Sequence, residues 1–577
     1  MASNEPNGIF RIDSIKKSSS KGSSRLTAAV TVIKDAESGH VQDTMELFFE
    51  VPKEYGKYLL TERCDAFVVL FLHRAVSKGY DIVSSVPMSS DLYYNITEHL
   101  LPVMNKNSKF SASLDVPIAD PPKAGFAVGT GLSCGVDSLS TIKMYVDHPD
   151  EDLRLTHLCM NNVGAFNVIY SEIGIDKARK AAYARSRQAA EMIGLPFIET
   201  NSNVHDLFPQ NHFYTHSFSS MFAVFCLSKL WKTYHYSSSG VDHVSSMNMD
   251  GWSMNDSATY ELLLFRYLST RRLMINSAGE LSTRLDKIRM ISDYDVAQKF
   301  LYSCTASDSN CGVCDKCMRN LTALDCIGKL DGFSEAYDIQ RYRNVRPYFL
   351  AYVYSRRSDE MHRPVFDAFV DSSDPDMDKI RAANVAVEIF DRLWSENNEE
   401  SDVLAFKAIF PYRYTSTKAG LRIAKAYSLG RGVERNPAMS RKCLHVIELR
   451  YRKEIKNGID RSRYQLFDFL WGQKRYGDLV PTIEPLKDSD LGKLRYAKMY
   501  RYGVGLEKDE TKAREIMEGL VRKNPRFQSN YLSMFPESKK DRAGTGPFSV
   551  FSILCPTAAA DIGSFDSTSR QTLCHES

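Results

Sequence analysis

The stretch Gly129-Thr130-Gly131-Leu132-Ser133-Cys134-Gly135-Val136-Asp137-Ser138 decides how this 577-residue chain is read. It follows an apolar entry, Phe126-Ala127-Val128, and opens a segment with helical spacing over residues 139–146. Small residues crowd the turn, so backbone N–H groups there can point inward at an anion. The dipole at the start of the following helix adds to the attraction. A strand–loop–helix unit of this kind is a candidate phosphate cradle, and the competing reading is an ordinary turn capped by Asp137 or Ser138.

Working outward, short apolar runs at residues 125–128, 155–159, 197–199 and 234–236 alternate with helical spacing at 138–146, 175–193 and 218–231. That alternation predicts an α/β fold, a parallel sheet with helices on both faces. Ligands of such sheets sit beyond the carboxyl ends of the strands, where the loop lies. Asn161 and Asn162 follow the second run at that same carboxyl edge and are candidates to border the ligand, with a simple turn role as the alternative. Ser237-Ser238-Ser239-Gly240 follows the fourth and is a candidate for the substrate side.

Upstream, residues 1–24 are polar and Ser/Lys-rich, expected to be mobile. Residues 26–34 and 46–51 read as a hairpin turning at Glu37-Ser38-Gly39-His40. With helical spacing at 58–77 and 90–101, residues 25–120 are expected to form a separate α+β unit. Asp120-Pro121-Pro122 marks its boundary, because a helix does not run through a double proline. Downstream, residues 336–400 read as a helical connector. Within 401–540, Ala424-Lys425-Ala426-Tyr427-Ser428-Leu429-Gly430-Arg431-Gly432-Val433 matches Ala497-Lys498-Met499-Tyr500-Arg501-Tyr502-Gly503-Val504-Gly505-Leu506, with a degenerate copy expected near 464–479. Repeated helix–Gly-turn–helix units indicate a short α-solenoid, an architecture that presents surfaces to other proteins. The Ser/Thr/Gly/Ala-rich tail 541–577 is expected to be disordered.

Bulk composition narrows the function. With 74 basic and 71 acidic residues, the net charge of +3 gives no global electrostatic case for nucleic acid. No apolar run has membrane-spanning length, and the first residues lack the basic and apolar blocks of a secretory signal, so a cytoplasmic protein is expected. Twelve cysteines over this length are no disulfide framework. Four of them stand together, Cys304, Cys311, Cys314 and Cys317. Four thiolates in tight turns suit a closed tetrahedral Zn²⁺ site of structural type, with an iron–sulfur cluster as the alternative. Arg319, just after the last thiol, is a candidate anion contact.

These two motifs carry a resemblance. Ser133-Cys134-Gly135-Val136-Asp137-Ser138 resembles the Ser-Gly-Gly-x-Asp-Ser loop of the N-type ATP pyrophosphatases, the PP-loop superfamily. The later C-x6-C-x2-C-x2-C set with its following Arg makes residues 121–335 similar to 7-cyano-7-deazaguanine synthase and its relatives. The C-terminal third resembles Sel-one-like repeats, which are related to tetratricopeptide repeats. The first resemblance implies cleavage of ATP to AMP and pyrophosphate, activating a carboxylate or amide oxygen for attack by an amine, ammonia or similar nucleophile. It implies pyrophosphate contacts from Gly131, Ser133, Gly135, Val136, Asp137 and Ser138, catalytic roles for Ser133, Asp137 and Ser138, and Mg²⁺ held with help from Asp137. Lys287, Arg289 and Arg271 are further charge candidates. Cys134 replaces a family glycine, which leaves two alternatives open: Cys134 as a nucleophile, or Cys134 as packing. A tRNA-thiolating enzyme of the same superfamily and a catalytically degenerate scaffold recruiting partners through its repeats are the competing functional readings.

Overall fold

The computed structural model describes residues 6–34, 41–166, 174–209, 212–239 and 257–536. The chain divides into two compact units, one of residues 1–342 with 358–368, the other of 343–357 with 369–577.

The first unit is α/β and built on a single ten-stranded sheet. Its strands are β1 (Gly8–Ser19), β2 (Ser23–Lys34), β3 (Val41–Pro52), β4 (Tyr80–Ser84), β6 (Leu114–Asp115), β8 (Ala127–Gly131), β9 (His157–Asn161), β10 (Phe197–Ser202), β11 (Trp231–Ser237) and β12 (Met274–Ala278). Met88–Ser89 (β5) and Ile118–Ala119 (β7) pair separately. The order is β12-β11-β8-β9-β10-β3-β2-β1-β4-β6, parallel except for the β10–β3, β3–β2 and β2–β1 steps. β8 lies between β11 and β9, so the loop that follows it opens in the middle of the parallel segment.

Two expectations are corrected here. Residues 8–19, within the stretch expected to be mobile, form β1, because Phe10 and Ile12 alternate inward and bury completely. The segment 25–120 is not a separate unit either. β3 pairs antiparallel with β10 through Glu50–Asn201 and Phe49–Ser202, and this joins the N-terminal meander to the parallel strands. The expected turn at 37–40 and the tail 541–577 lie outside the described residues.

A large buried cluster runs from Phe10 of β1 to Ile275 of β12, and a separate smaller one, Phe166 with Ala178 and Ala182, packs against Met160 of β9. Helix α1 (Asp65–Lys78) is apolar nearly all round and is buried along most of its length, the signature of a central helix. It packs against a helix at His212–Cys226, numbered α4 below. Phe222 of that helix meets Phe49 of β3 at 5.7 Å and Phe67 of α1 at 5.5 Å, both edge-on, and Phe71 stacks on Phe10 at 4.8 Å. Other helices that position the site are α2 (Val136–Tyr145), α3 (Ile175–Ile193), α4 (His212–Cys226), α5 (Glu261–Leu268), α6 (Arg284–Ile291) and α7 (Asp315–Cys326). Among the described residues no helix is long and apolar enough to cross a membrane.

The second unit is helical: α8 (Arg346–Ser355), α9 (Pro375–Ser395), α10 (Glu399–Ile409), α11 (Thr417–Leu429), α12 (Pro437–Lys456), α13 (Arg461–Gly472), α14 (Asp490–Tyr502), α15 (Glu510–Lys523) and α16 (Gln528–Met534). The two matching sequence stretches adopt matching local geometry. Ser416 and Ser489 cap α11 and α14; Gly430 and Gly503 end those helices in the left-handed region at φ +69° and +64°. Asn436 and Asp509 then cap α12 and α15.

Gly129 of β8 faces the ring of Trp231, and a Cβ there would lie 2.4 Å from it. Since Trp231 is fully buried, Gly129→Ala is expected to destabilise the first unit by about 1–3 kcal/mol. Urea unfolding followed by circular dichroism checks this, with the midpoint lowered relative to the parent chain.

Candidate functional site

The loop between β8 and α2 is held by its own hydroxyls. Ser138 Oγ donates to the Gly135 carbonyl at 3.1 Å and accepts from the Ser133 amide at 3.4 Å. The Ser133 and Ser138 hydroxyls are 3.2 Å apart, and the Gly135 amide donates to Ser133 Oγ at 3.3 Å. Gly135 is the N-cap of α2 and receives no side-chain cap, so the simple capped-turn reading by Asp137 or Ser138 does not describe the loop. Gly131 and Gly135 are not demanded by internal packing. A Cβ at Gly131 would meet only the Tyr234 hydroxyl, at 3.8 Å, and one at Gly135 nothing nearer than Ser133 Oγ at 3.4 Å.

Cys134 has φ +60°, the left-handed region that favours glycine and costs another residue about 1–2 kcal/mol. Its side chain is fully buried, and Sγ lies 3.9 Å from Ser186 Oγ. Burial pushes the thiol up to about 11. A buried, protonated thiol is inert, so the structure favours packing over the nucleophile role.

Asp137 is the electrostatic centre. Its Oδ1 accepts from Lys287 Nζ at 3.0 Å and its Oδ2 pairs with Arg284 at 3.1 Å. Burial alone would raise this carboxyl; Arg284 and Lys287 more than offset it and hold the group below the usual carboxylate range. Lys287 is fully buried and also donates to the Ser238 carbonyl beyond β11. Burial pushes its ammonium down against the pull of Asp137. A Thr283–Asp286 capping box starts α6 and fixes the turn that carries both cations. Lys316, on the first turn of α7, lies within the field of Arg319, Arg284 and Asp137, and among the described residues it makes no salt bridge. Sequence reasoning singled out Lys287 and passed over Arg284 and Lys316. The only signals for them were Arg284 standing three residues before Lys287 and Lys316 lying inside the cysteine spacing.

The remaining candidates are distributed unevenly. Asn161 and Asn162 stand at the carboxyl end of β9, and their side chains bind Thr200 and Asn201 of β10 at 2.9 and 2.8 Å. Arg289 pairs with Asp286 at the surface, Arg271 is exposed, and Arg319 sits against Met361. Ser238 is buried under Lys287; Gly240 lies outside the described residues. Near the end of β11, the Tyr236 hydroxyl lies 2.8 Å from His216 Nδ1. Ser217 Oγ donates to the buried Glu261 at 3.0 Å, and Glu261 lies within the field of Lys287.

Cys304, Cys311, Cys314 and Cys317 converge, with sulfur atoms all within 4.8 Å of one another. Sulfurs at a tetrahedral metal with bonds of about 2.3 Å stand somewhat under 4 Å apart, so this donor set can hold a metal ion such as zinc. Backbone amides of Ala306 and Cys314 point at the sulfurs of Cys304 and Cys311, at 3.4 and 3.3 Å. Hydrogen bonding within the cluster holds Cys304 and Cys314 below the usual thiol range and pushes Cys311 and Cys317 above it. This cysteine segment meets the loop directly. The Tyr302 amide donates to the Cys134 carbonyl at 2.8 Å, and the Arg185 guanidinium stacks on the Tyr302 ring at 3.7 Å while binding the Asp308 carbonyl.

Compared with known protein families and with curated proteins, the chain has no match.

Two outcomes follow for the purified chain. Cys314→Ser is expected to reduce bound zinc from about one per chain to near zero by metal analysis, the parent protein being colourless. Lys287→Met removes one partner of a charge that stays largely buried. The expected loss of stability is about 3–5 kcal/mol, toward the low end because Arg284 remains. The Asp137 carboxyl is lowered from 3.8, so its contribution is present above that value and is lost as pH falls through the lowered one. The stability gap between parent and Lys287→Met therefore narrows on acidification, measured by denaturant unfolding from neutral pH downward.

Proposed function

We propose that the first unit is an ATP-dependent adenylating enzyme of the PP-loop kind, converting ATP to AMP and pyrophosphate while activating a carboxylate or amide oxygen of its acceptor. The observation that carries this reading is the convergence of Arg284 and Lys287 on Asp137, in a loop whose glycines its own packing does not require, with the Lys316 ammonium in the field of the same carboxylate. Positive charge beyond that needed to balance Asp137 suits a polyphosphate, and open space beside Gly131 and Gly135 suits close approach of its oxygens.

The chain's groups divide the work as follows. Ser133 and Ser138 exchange their mutual hydrogen bonding for bonds to the pyrophosphate. Lys316 and Arg284 stabilise the negative charge that builds on the leaving pyrophosphate when the bond between the α- and β-phosphates breaks. Asp137 fixes the positions of Arg284 and Lys287; since both its oxygens are committed to cations, Mg²⁺ in this reading arrives with the phosphates of ATP. Transfer of AMP makes the acceptor oxygen a competent leaving group, and an amine, ammonia or similar nucleophile then displaces it. The cluster of His216, Tyr236 and Glu261 lies on the acceptor side, beyond β11. Zinc on the four cysteines would supply no chemistry, its four ligand positions being filled, and would hold Tyr302 and Lys316 against the loop.

A second reading, a degenerate scaffold, is favoured by one observation: the non-glycine residue at φ +60°. Pyrophosphate release from ATP separates the two. Ser138→Ala is expected to lower release by about 10²-fold or more, and Cys134→Gly to retain it. Absence of release and of ATP binding in the parent chain, or equal rates in Ser138→Ala, overturns the enzymatic reading.

A further inference from the structure

The loop and the cysteine segment meet at one backbone bond, from the Tyr302 amide to the Cys134 carbonyl. Tyr302 stands two residues before Cys304, and the cysteine turn itself sets its position. Asn310, directly before Cys311, accepts from the Ser303 amide at 3.0 Å and donates to the Leu301 carbonyl at 2.7 Å. One side chain thus clamps the residues on both sides of Tyr302 to the turn that presents the second thiol. The Tyr302 hydroxyl donates to the Ser307 carbonyl of the same segment.

Helix α3 braces both partners. Its Ser186 Oγ donates to the Leu132 carbonyl of the loop at 2.9 Å. Its Arg185 covers the Tyr302 ring, and its Lys177 pairs with Asp308 at 3.1 Å. The loop has no intrinsic preference for the shape so held. Among the described residues of the first unit, Cys134 is the one non-glycine residue at positive φ. A glycine would keep that conformation unaided, whereas a cysteine has to be held in it.

We propose that metal binding at the four cysteines and the shape of the loop form a single linked equilibrium. Ordering of the cysteine segment places the Tyr302 amide, and that amide keeps Cys134 left-handed. Loss of the metal releases the segment, Cys134 returns to a conformation natural to a side-chain-bearing residue, and the loop loses its shape. Linkage is reciprocal, so a ligand that needs the ordered loop also tightens the metal. The link between metal and loop stands on the geometry; its use as a control on ATP binding rests on the adenylation reading.

The test measures zinc affinity of the full chain by competition with a chromogenic chelator. The parent must force Cys134 into the left-handed region whenever it takes up metal, and Cys134→Gly need not. Cys134→Gly is therefore expected to bind zinc about five- to thirtyfold more tightly. Cys134→Ala also loses the thiol but keeps the conformational penalty, so it is expected to bind zinc as the parent does. Excess Mg-ATP is expected to slow zinc loss from the parent by about fivefold or more, and to have little effect in Cys134→Gly, whose loop is ordered with or without metal. Binding of a fluorescent ATP analogue is followed in parallel, and circular dichroism confirms that both variants keep their fold. Equal zinc affinity of parent and Cys134→Gly, an equal gain in Cys134→Ala, or ATP binding to the parent that leaves zinc loss unchanged overturns the proposal. If the contrast between the two variants is present and the parent binds no ATP, the link between metal and loop holds and the adenylation reading falls.

Discussion

A single buried ammonium organises the candidate site. Lys287 reaches from α6 to the Asp137 carboxylate at the start of α2 and to the Ser238 carbonyl beyond β11, so three segments distant in sequence meet at one atom. Desolvating a lysine is costly, and the cost is offset only while the carboxylate and carbonyl stay in place. The arrangement is therefore all-or-none: the loop's position, the end of β11 and the register of α6 stand or fall together. Arg284 adds a second hold on the same carboxylate, which ties the start of α6 to the loop.

The four cysteines extend this order from the other side. They close a segment that carries Tyr302 at one end and Lys316 at the other, and Tyr302 binds the backbone of the one residue in the loop with left-handed φ. Cys134 is thus held in its unfavourable conformation by a hydrogen bond to its carbonyl and by complete burial of its side chain. Strain of this kind persists where surroundings over-determine it.

Much of this was legible in the chain. The alternation of short apolar runs with helical spacing located β8, β9, β10 and β11 to within a few residues, because buried parallel strands need continuous apolar stretches. The cysteine cluster was legible because metal-ligand spacing is local. The N-terminal meander was misplaced for the opposite reason. Its partner, β10, is remote in sequence, and nothing in the alternation of β3 records which edge it will meet. The roles of Arg284 and Lys316 were equally hidden. A basic residue reads as solvated surface until the fold supplies the carboxylate or the neighbouring cations that define its environment.

The β3–β10 junction also bears on how the chain comes to be folded. Glu50 pairs with Asn201, so the open side of the N-terminal meander stays without its strand until about 150 further residues have been made. At roughly 5–20 residues per second, that interval is on the order of ten to thirty seconds. During it the apolar faces of Leu47 and Phe49 lack α4, which lies later still in the chain. Synthesis thus imposes a waiting period on this protein, during which the β3 edge that will meet β10 has no strand beside it.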